Sequence, residues 1–319
     1  MNRPVFVQGP AFCAGEACSL EMLRSLEGVS DAELADFALK GITVFCRRSQ
    51  NILDMCAESA AQTLAGANIA AQEVGALVFV NAMPAMNVDE EVALLGRIYN
   101  LGIRINTMVA LDFLHCSGFS AAIDTAVDLI QRKGKDNVLV VLCGYIPSGV
   151  ERLRRDLGVV CGDGASSCLV STRPWGFEFV AAETHTDSQL WETDPSVANE
   201  AIQRIRTFHN LRELTRSFLA KALVKPESLS LLIGTCGSQH QLDIAAGAAG
   251  VGIDKIFVAP LKKYGHIFSC DSIIALAMCT NDPGIAAGGC LMTVGWSPYV
   301  TGLTLLRMRK WPLQRPDFA

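Results

Sequence analysis

Cys116 is the residue of this chain whose setting could do chemistry. It lies in Leu111-Asp112-Phe113-Leu114-His115-Cys116-Ser117-Gly118-Phe119-Ser120-Ala121-Ala122, where an apolar, β-prone run over 103–113 gives way to small residues. A helical pattern follows over 121–130, so the spacing predicts a strand, a sharp turn and a buried helix with the cysteine at its start. A thiol so placed meets unpaired N–H groups and the positive end of the helix dipole, which favour the thiolate. Read alone, the residue fits a nucleophile and equally a small core side chain, since free Cys is among the most buried residue types.

A second stretch echoes the first. Tyr264-Gly265-His266-Ile267-Phe268-Ser269-Cys270-Asp271-Ser272 again runs into an apolar helical pattern. An internal duplication packed about a pseudo-twofold axis would bring His266 to Cys116. His115 reads as structural, because strand neighbours face opposite ways.

The elements around these residues alternate. Helical spacing occupies 31–40, 51–67, 89–101, 117–133, 199–225, 241–250 and 270–280. Continuous apolar runs at 73–80, 137–143, 229–233, 255–259 and 289–294 read as buried strands. This rhythm predicts an α/β fold with a largely parallel sheet covered on both faces. Gly162-Asp163-Gly164 reads as an architectural turn, because no Lys-Ser/Thr follows as a phosphate loop needs.

Composition sets limits. Half of the residues are hydrophobic and 18% charged, which implies extensive internal burial or a large subunit interface. The net charge of −5 offers nucleic acid no general attraction. No uninterrupted apolar stretch approaches the ~20 residues of a membrane span, and no hydrophobic signal core follows Met1, so a cytoplasmic protein is expected. Twelve cysteines without close regular spacing predict reduced thiols, and the absence of a CxxC pair or Cys/His cluster predicts no metal.

In order along nearly the whole chain, several motifs resemble the thiolase superfamily, and most closely its β-ketoacyl-[acyl carrier protein] synthase III branch. Cys116-Ser117-Gly118-Phe119 is similar to that family's nucleophile turn, and Gly162-Asp163-Gly164-Ala165 to its Gly-Asp-Gly-Ala segment. The stretch 224–233 resembles the helix end and strand before the family's catalytic histidine. Tyr264-Gly265-His266 resembles its Gly-Asn motif, and 295–302 its glycine loop. The resemblance implies a layered α-β-α-β-α fold of two pseudo-repeated halves, 1–172 with the nucleophile and 173–319.

The departures carry information too. Ungapped, the strand leads to Thr235 where the family has histidine, with His240 five residues later, and His266 stands in place of asparagine. The glycine loop reads Gly295-Trp296-Ser297-Pro298, and the tryptophan motif that helps hold coenzyme A is missing.

The resemblance implies that Cys116 takes an acyl group from a coenzyme A or carrier-protein thioester, with no permanently bound cofactor. Backbone N–H groups of Cys116 and Ser297 would form the oxyanion hole, and His266, with His240, would complete the catalytic set. Condensation ordinarily needs two donors for the thioester enolate, whereas transfer to oxygen or nitrogen needs one base, so the residues lean towards acyl transfer in a specialised pathway. Decarboxylative condensation, hydrolysis of the acyl-enzyme and a non-catalytic subunit of a heterodimeric synthase are the alternatives. The expected assembly is a homodimer, or a heterodimer with a homologue. The basic stretch from Arg204 to Arg216 and the cluster Arg152, Arg154 and Arg155 could dock an acidic carrier or coenzyme A phosphates, or be solvated surface.

Overall fold

The computed structural model describes residues 3–82, 86–155, 157–188, 200–235, 237–280, 288–297 and 299–309. The first half contains β1 (Phe6–Ala14), β2 (Glu16–Ser19), α1 (Met22–Glu27), α2 (Asp31–Leu39), β3 (Val44–Arg47), α3 (Ile52–Gly66), β4 (Ala76–Asn81), α4 (Val88–Asn100), β5 (Met108–Leu111), α5 (Gly118–Lys133), β6 (Asn137–Gly144), β7 (Leu153–Arg154), β8 (Val159–Val160) and β9 (Gly164–Ser171). The second contains β10 (Phe177–Thr186), α6 (Glu200–Lys221), β11 (Leu229–Thr235), α7 (Gln239–Ala249), α8 (Ala259–Tyr264), α9 (Cys270–Cys279), β12 (Cys290–Trp296) and β13 (Val300–Met308).

Nine strands form one sheet in the order β11-β12-β13-β10-β1-β9-β6-β4-β5. Both halves follow one plan. Outward from the centre, β1 pairs antiparallel with β9 and β9 with β6, and parallel pairs β6-β4 and β4-β5 follow. In the second half β10-β13 and β13-β12 are antiparallel and β12-β11 is parallel, and a single parallel bridge between Leu232 and Ile256 stands where β5 stands in the first. The halves join through antiparallel β1 and β10.

The alternation of side chains along each strand explains the layers. Val78 and Val80 of β4 face the central core, which they share with Ala122, Ile123 and Ala126 of α5, Ile273, Ile274 and Leu276 of α9, and Leu291 and Leu306 from the second half. Leu77 and Phe79 face the other way into a core under α3 and α4. On the second half Leu232, Met292 and Leu303 pack with α6 and α7. Helices and the two halves of this one sheet therefore alternate in five layers, with α5 and α9 in the middle between the sheet halves. Each fully buried Leu, Ile or Phe there contributes about 1.5–3 kcal/mol.

The sheet is mixed, not largely parallel, because β13, β10, β1 and β9 form its antiparallel centre; the first three of these are not evident in the sequence pattern. The expected strand at 255–259 is reduced to the bridge at Ile256, since α8 starts at Ala259 with proline in its first turn. Among the described residues, no helix is long and apolar enough to cross a membrane.

Candidate active site

The turn between β5 and α5 is strained. Phe113 and His115 are left-handed, with φ of 60° and 44°, a conformation uncommon for residues other than glycine. A 3-10 turn over His115–Ser117 then enters α5. Cys116 is partly exposed while Ser117 is buried, and its N–H lies in a first helical turn, where backbone donors lack intrahelical acceptors.

The second half grips this turn. Ser117 Oγ lies 2.9 Å from the Gly295 carbonyl and 3.0 Å from the Val300 carbonyl. Gly295 abuts the Cys116 backbone so closely that an added Cβ would overlap the Cys116 carbonyl oxygen. On α5, a Cβ at Gly118 would lie 2.6 Å from Val80 Cγ1 and 3.2 Å from Ser269 Oγ, so the two helix-start turns meet directly.

His266 lies between α8 and α9, and its carbonyl accepts from the Gly162 N–H at 2.7 Å. Its Nε2 is 3.3 Å from Cys116 Sγ and its Nδ1 is 2.6 Å from Asp271 Oδ2. The other carboxylate oxygen, Oδ1, accepts from the Ile267 N–H at 2.7 Å. His266 and Asp271 are buried. Burial alone would push His266 down, but charge on Cys116 and the Asp271 carboxylate, with the hydrogen bonds to both, holds it well above the ordinary imidazole range. Burial pushes Asp271 up while His266 pulls it the other way. His266 thus stands between sulfur and carboxylate, with each ring nitrogen within hydrogen-bond reach of a partner.

Asp271 is the residue that sequence reasoning missed. An acidic side chain in the first turn of α9 reads as ordinary helix-dipole chemistry, and only its spacing five residues from His266 could have signalled more.

Other expected residues lie elsewhere. His240 is exposed on the first turn of α7. The strand before it ends in buried Thr235, in register with Gly295 and with Oγ1 2.8 Å from Ser272 Oγ, so no imidazole stands at the end of β11. The Ser297 N–H donates to the Val300 carbonyl at 2.8 Å, a hairpin bond that commits it away from an oxyanion. Pro298 lies outside the described residues. Arg152 is buried against Asp163 at 2.7 Å and Arg155 pairs with Glu33 and Glu151. On α6, Arg206 pairs with Asp187. Asp163 also accepts from the N–H groups of Arg48 and Ile146, the architectural role expected of its turn.

The model of the 3-oxoacyl-[acyl-carrier-protein (ACP)] synthase III family matches residues 113–188. The β-ketoacyl-[acyl-carrier-protein] synthase III of Aquifex aeolicus (strain VF5) is 24% identical over 269 residues, 82% of this chain and 85% of that protein. The crystal structure of 3-oxoacyl-[acyl-carrier-protein] synthase III from Aquifex aeolicus VF5 is similar with a TM-score of 0.79 at 21% identity, covering 95% of this chain and 99% of that one. The structure of ChlB3, an acyltransferase, is similar with a TM-score of 0.82 at 15% identity, covering 96% and 98%. With its helix-start cysteine and doubled strand plan, the chain is similar over most of its length to ketoacyl synthases III and shares their fold.

Proposed function

We propose that the chain is a cysteine-dependent acyltransferase that passes an acyl group from a coenzyme A or carrier-protein thioester, by way of Cys116, to a hydroxyl or amine acceptor. The observation that carries this reading is the continuous line Cys116, His266, Asp271. In the first step the Cys116 thiolate attacks the thioester carbonyl. The tetrahedral oxyanion has the Cys116 N–H as a donor, and its collapse expels the donor thiolate, which takes the proton from His266. In the second, neutral His266 accepts the proton of the incoming hydroxyl or amine as that group attacks the acyl-enzyme, and Cys116 leaves as thiolate. Asp271 keeps Nδ1 protonated, so Nε2 alone moves the proton.

Condensation is less well served. A thioester enolate ordinarily needs two donors, and here Thr235 and Ser272 bond to each other at the end of β11.

A dimer belongs to the same reading. β5 is an outer edge of the sheet, Phe113 is 77% exposed, and Val88, Val92, Leu95 and Tyr99 make an exposed apolar stripe along α4. Exposed Arg212 and Arg216 on α6 suit an acidic carrier. We place the boundary of the halves at 172/173, between β9 and β10, and the protein in the cytoplasm, since every described cysteine is free.

The test is intact-protein mass spectrometry after incubation with acyl-coenzyme A and acyl-carrier thioesters. An adduct lost in Cys116→Ala, and discharged by a hydroxyl or amine acceptor, supports transfer. Discharge by a malonyl thioester with release of carbon dioxide would make the chain a condensing enzyme instead, and no adduct from any donor would leave it the partner of an active homologue.

A further inference from the structure

We infer that His115 and Tyr299 are positioning residues for the nucleophile: their side-chain hydrogen bond latches the turn that carries Cys116 onto the hairpin of the second half. The inference rests on Cys116 being the acylated thiol. His115 Nε2 shares a hydrogen bond with the Tyr299 hydroxyl, and the two rings meet edge to face with centroids 5.6 Å apart. The imidazole is half-buried, and burial pushes it towards its neutral form, in which a ring nitrogen can accept from the phenol.

Backbone strain is the reason that a latch is needed there. His115 holds φ at 44° immediately before Cys116, with Phe113 at 60° two residues earlier. Such conformations persist only when the surroundings over-determine them. Ser117 anchors the far side of the turn to the carbonyls of Gly295 and Val300. Tyr299, from the same hairpin, holds the near side, so Cys116 sits between two grips.

The hairpin is itself braced. The Tyr299 carbonyl accepts from the Asp187 N–H at 2.9 Å, and the Asp187 carboxylate accepts from Arg206 Nε and Asn210 Nδ2 on α6, each at 2.6 Å. A strand-face argument gives His115 only a structural role, whereas the fold turns its side chain to the group that can fix the sulfur.

Two readouts at Cys116 test this, acyl-adduct formation from an acyl-coenzyme A and alkylation by iodoacetamide, both followed by peptide mass. Tyr299→Phe removes only the hydroxyl, and His115→Gly removes the imidazole while relieving the left-handed strain. The expected result is an acylation kcat lowered roughly tenfold in Tyr299→Phe, with KM unchanged and the unfolding midpoint lowered only as far as one lost hydrogen bond lowers it. The double variant should be no slower than the slower single one, because both changes break one contact. Rates within twofold of the parent, or losses that multiply in the double variant, would overturn the latch. If the parent forms no acyl adduct, the acyltransferase reading fails, but the alkylation rates still decide whether the latch exists.

Discussion

Two turns of similar backbone open the two central helices, and they do different work. Each has a left-handed residue just before its helix, His115 ahead of α5 and Phe268, with φ of 49°, ahead of α9. The residue after it is Cys116 in the first turn and Ser269 in the second. Cys116 is partly exposed, whereas Ser269 is wholly buried and its hydroxyl has no hydrogen-bond partner among the described residues. The residue of the second turn that reaches Cys116 lies earlier, at His266, whose Nδ1 is 2.6 Å from Asp271 Oδ2. One copy of the motif has kept access to solvent. The other has closed its equivalent position, and under the proposed mechanism this difference leaves the nucleophile to one half and its base to the other.

The hardest test of this division is His266→Ala. If the second turn governs the proton, the variant should still accept an acyl group from an activated thioester but discharge it about a thousandfold more slowly, within the usual range for a lost general base. Single-turnover mass measurements separate the two steps. Equal slowing of both would erase the distinction between a turn that presents and a turn that manages protons.

Asp271→Asn sharpens the same point with a smaller loss. The amide keeps the shape but can turn its NH2 group to Nδ1, favouring the wrong tautomer, and discharge should fall about a hundredfold. The pH dependence of stability should move too. Because the native pKa of His266 is raised, its contribution is complete below the unfolded value of about 6.5 and is lost as pH rises through the raised native value. The parent should therefore lose stability across that window, and Asp271→Asn should lose less. A denaturation midpoint followed against pH reads the difference.

How the turns meet is tested by Gly295→Ala. The added Cβ would overlap the Cys116 carbonyl oxygen, and backbone on both sides leaves nothing flexible to yield. Destabilisation of about 1–3 kcal/mol is expected, with slower alkylation of Cys116 as the turn is displaced. Denaturant unfolding checks the first and iodoacetamide labelling the second.

Much of this was legible in the residues, for identifiable reasons. Strands β4 and β6 are buried on both faces and show as apolar runs, as do the mostly buried β11 and β12 in large part, and α3, α4, α5 and α9 show as helical spacing. The centre of the sheet does not show. β1 contains Gly9 and Pro10 and a register shift between Gln8 and Ala11, so it reads as broken, and β10 is only partly buried over most of its length. Cys116 was legible because it sits where a strand-like run turns into a helix, and His266 because the stretch around it echoes that turn. Asp271 was hidden by a commonplace position, and the Ser297 N–H by a partner three residues away, across a hairpin that sequence alone does not draw.

Thr235 gives the smallest effect and the finest distinction. It ends β11 in register with Gly295 and shares a hydrogen bond with Ser272, in the same helical turn as Asp271. If the polar pair only closes a buried contact, Thr235→Val should destabilise the fold by about 1 kcal/mol, the usual net worth of one hydrogen bond plus the unmet Ser272 hydroxyl, and leave acylation and discharge unchanged. If instead the hydroxyl supports a developing charge on the acyl group, the rate of discharge will fall with little change in the unfolding midpoint. Because Val keeps the β-branched shape, packing alters little, and the two measurements separate a structural end of β11 from one that has kept a share of the chemistry.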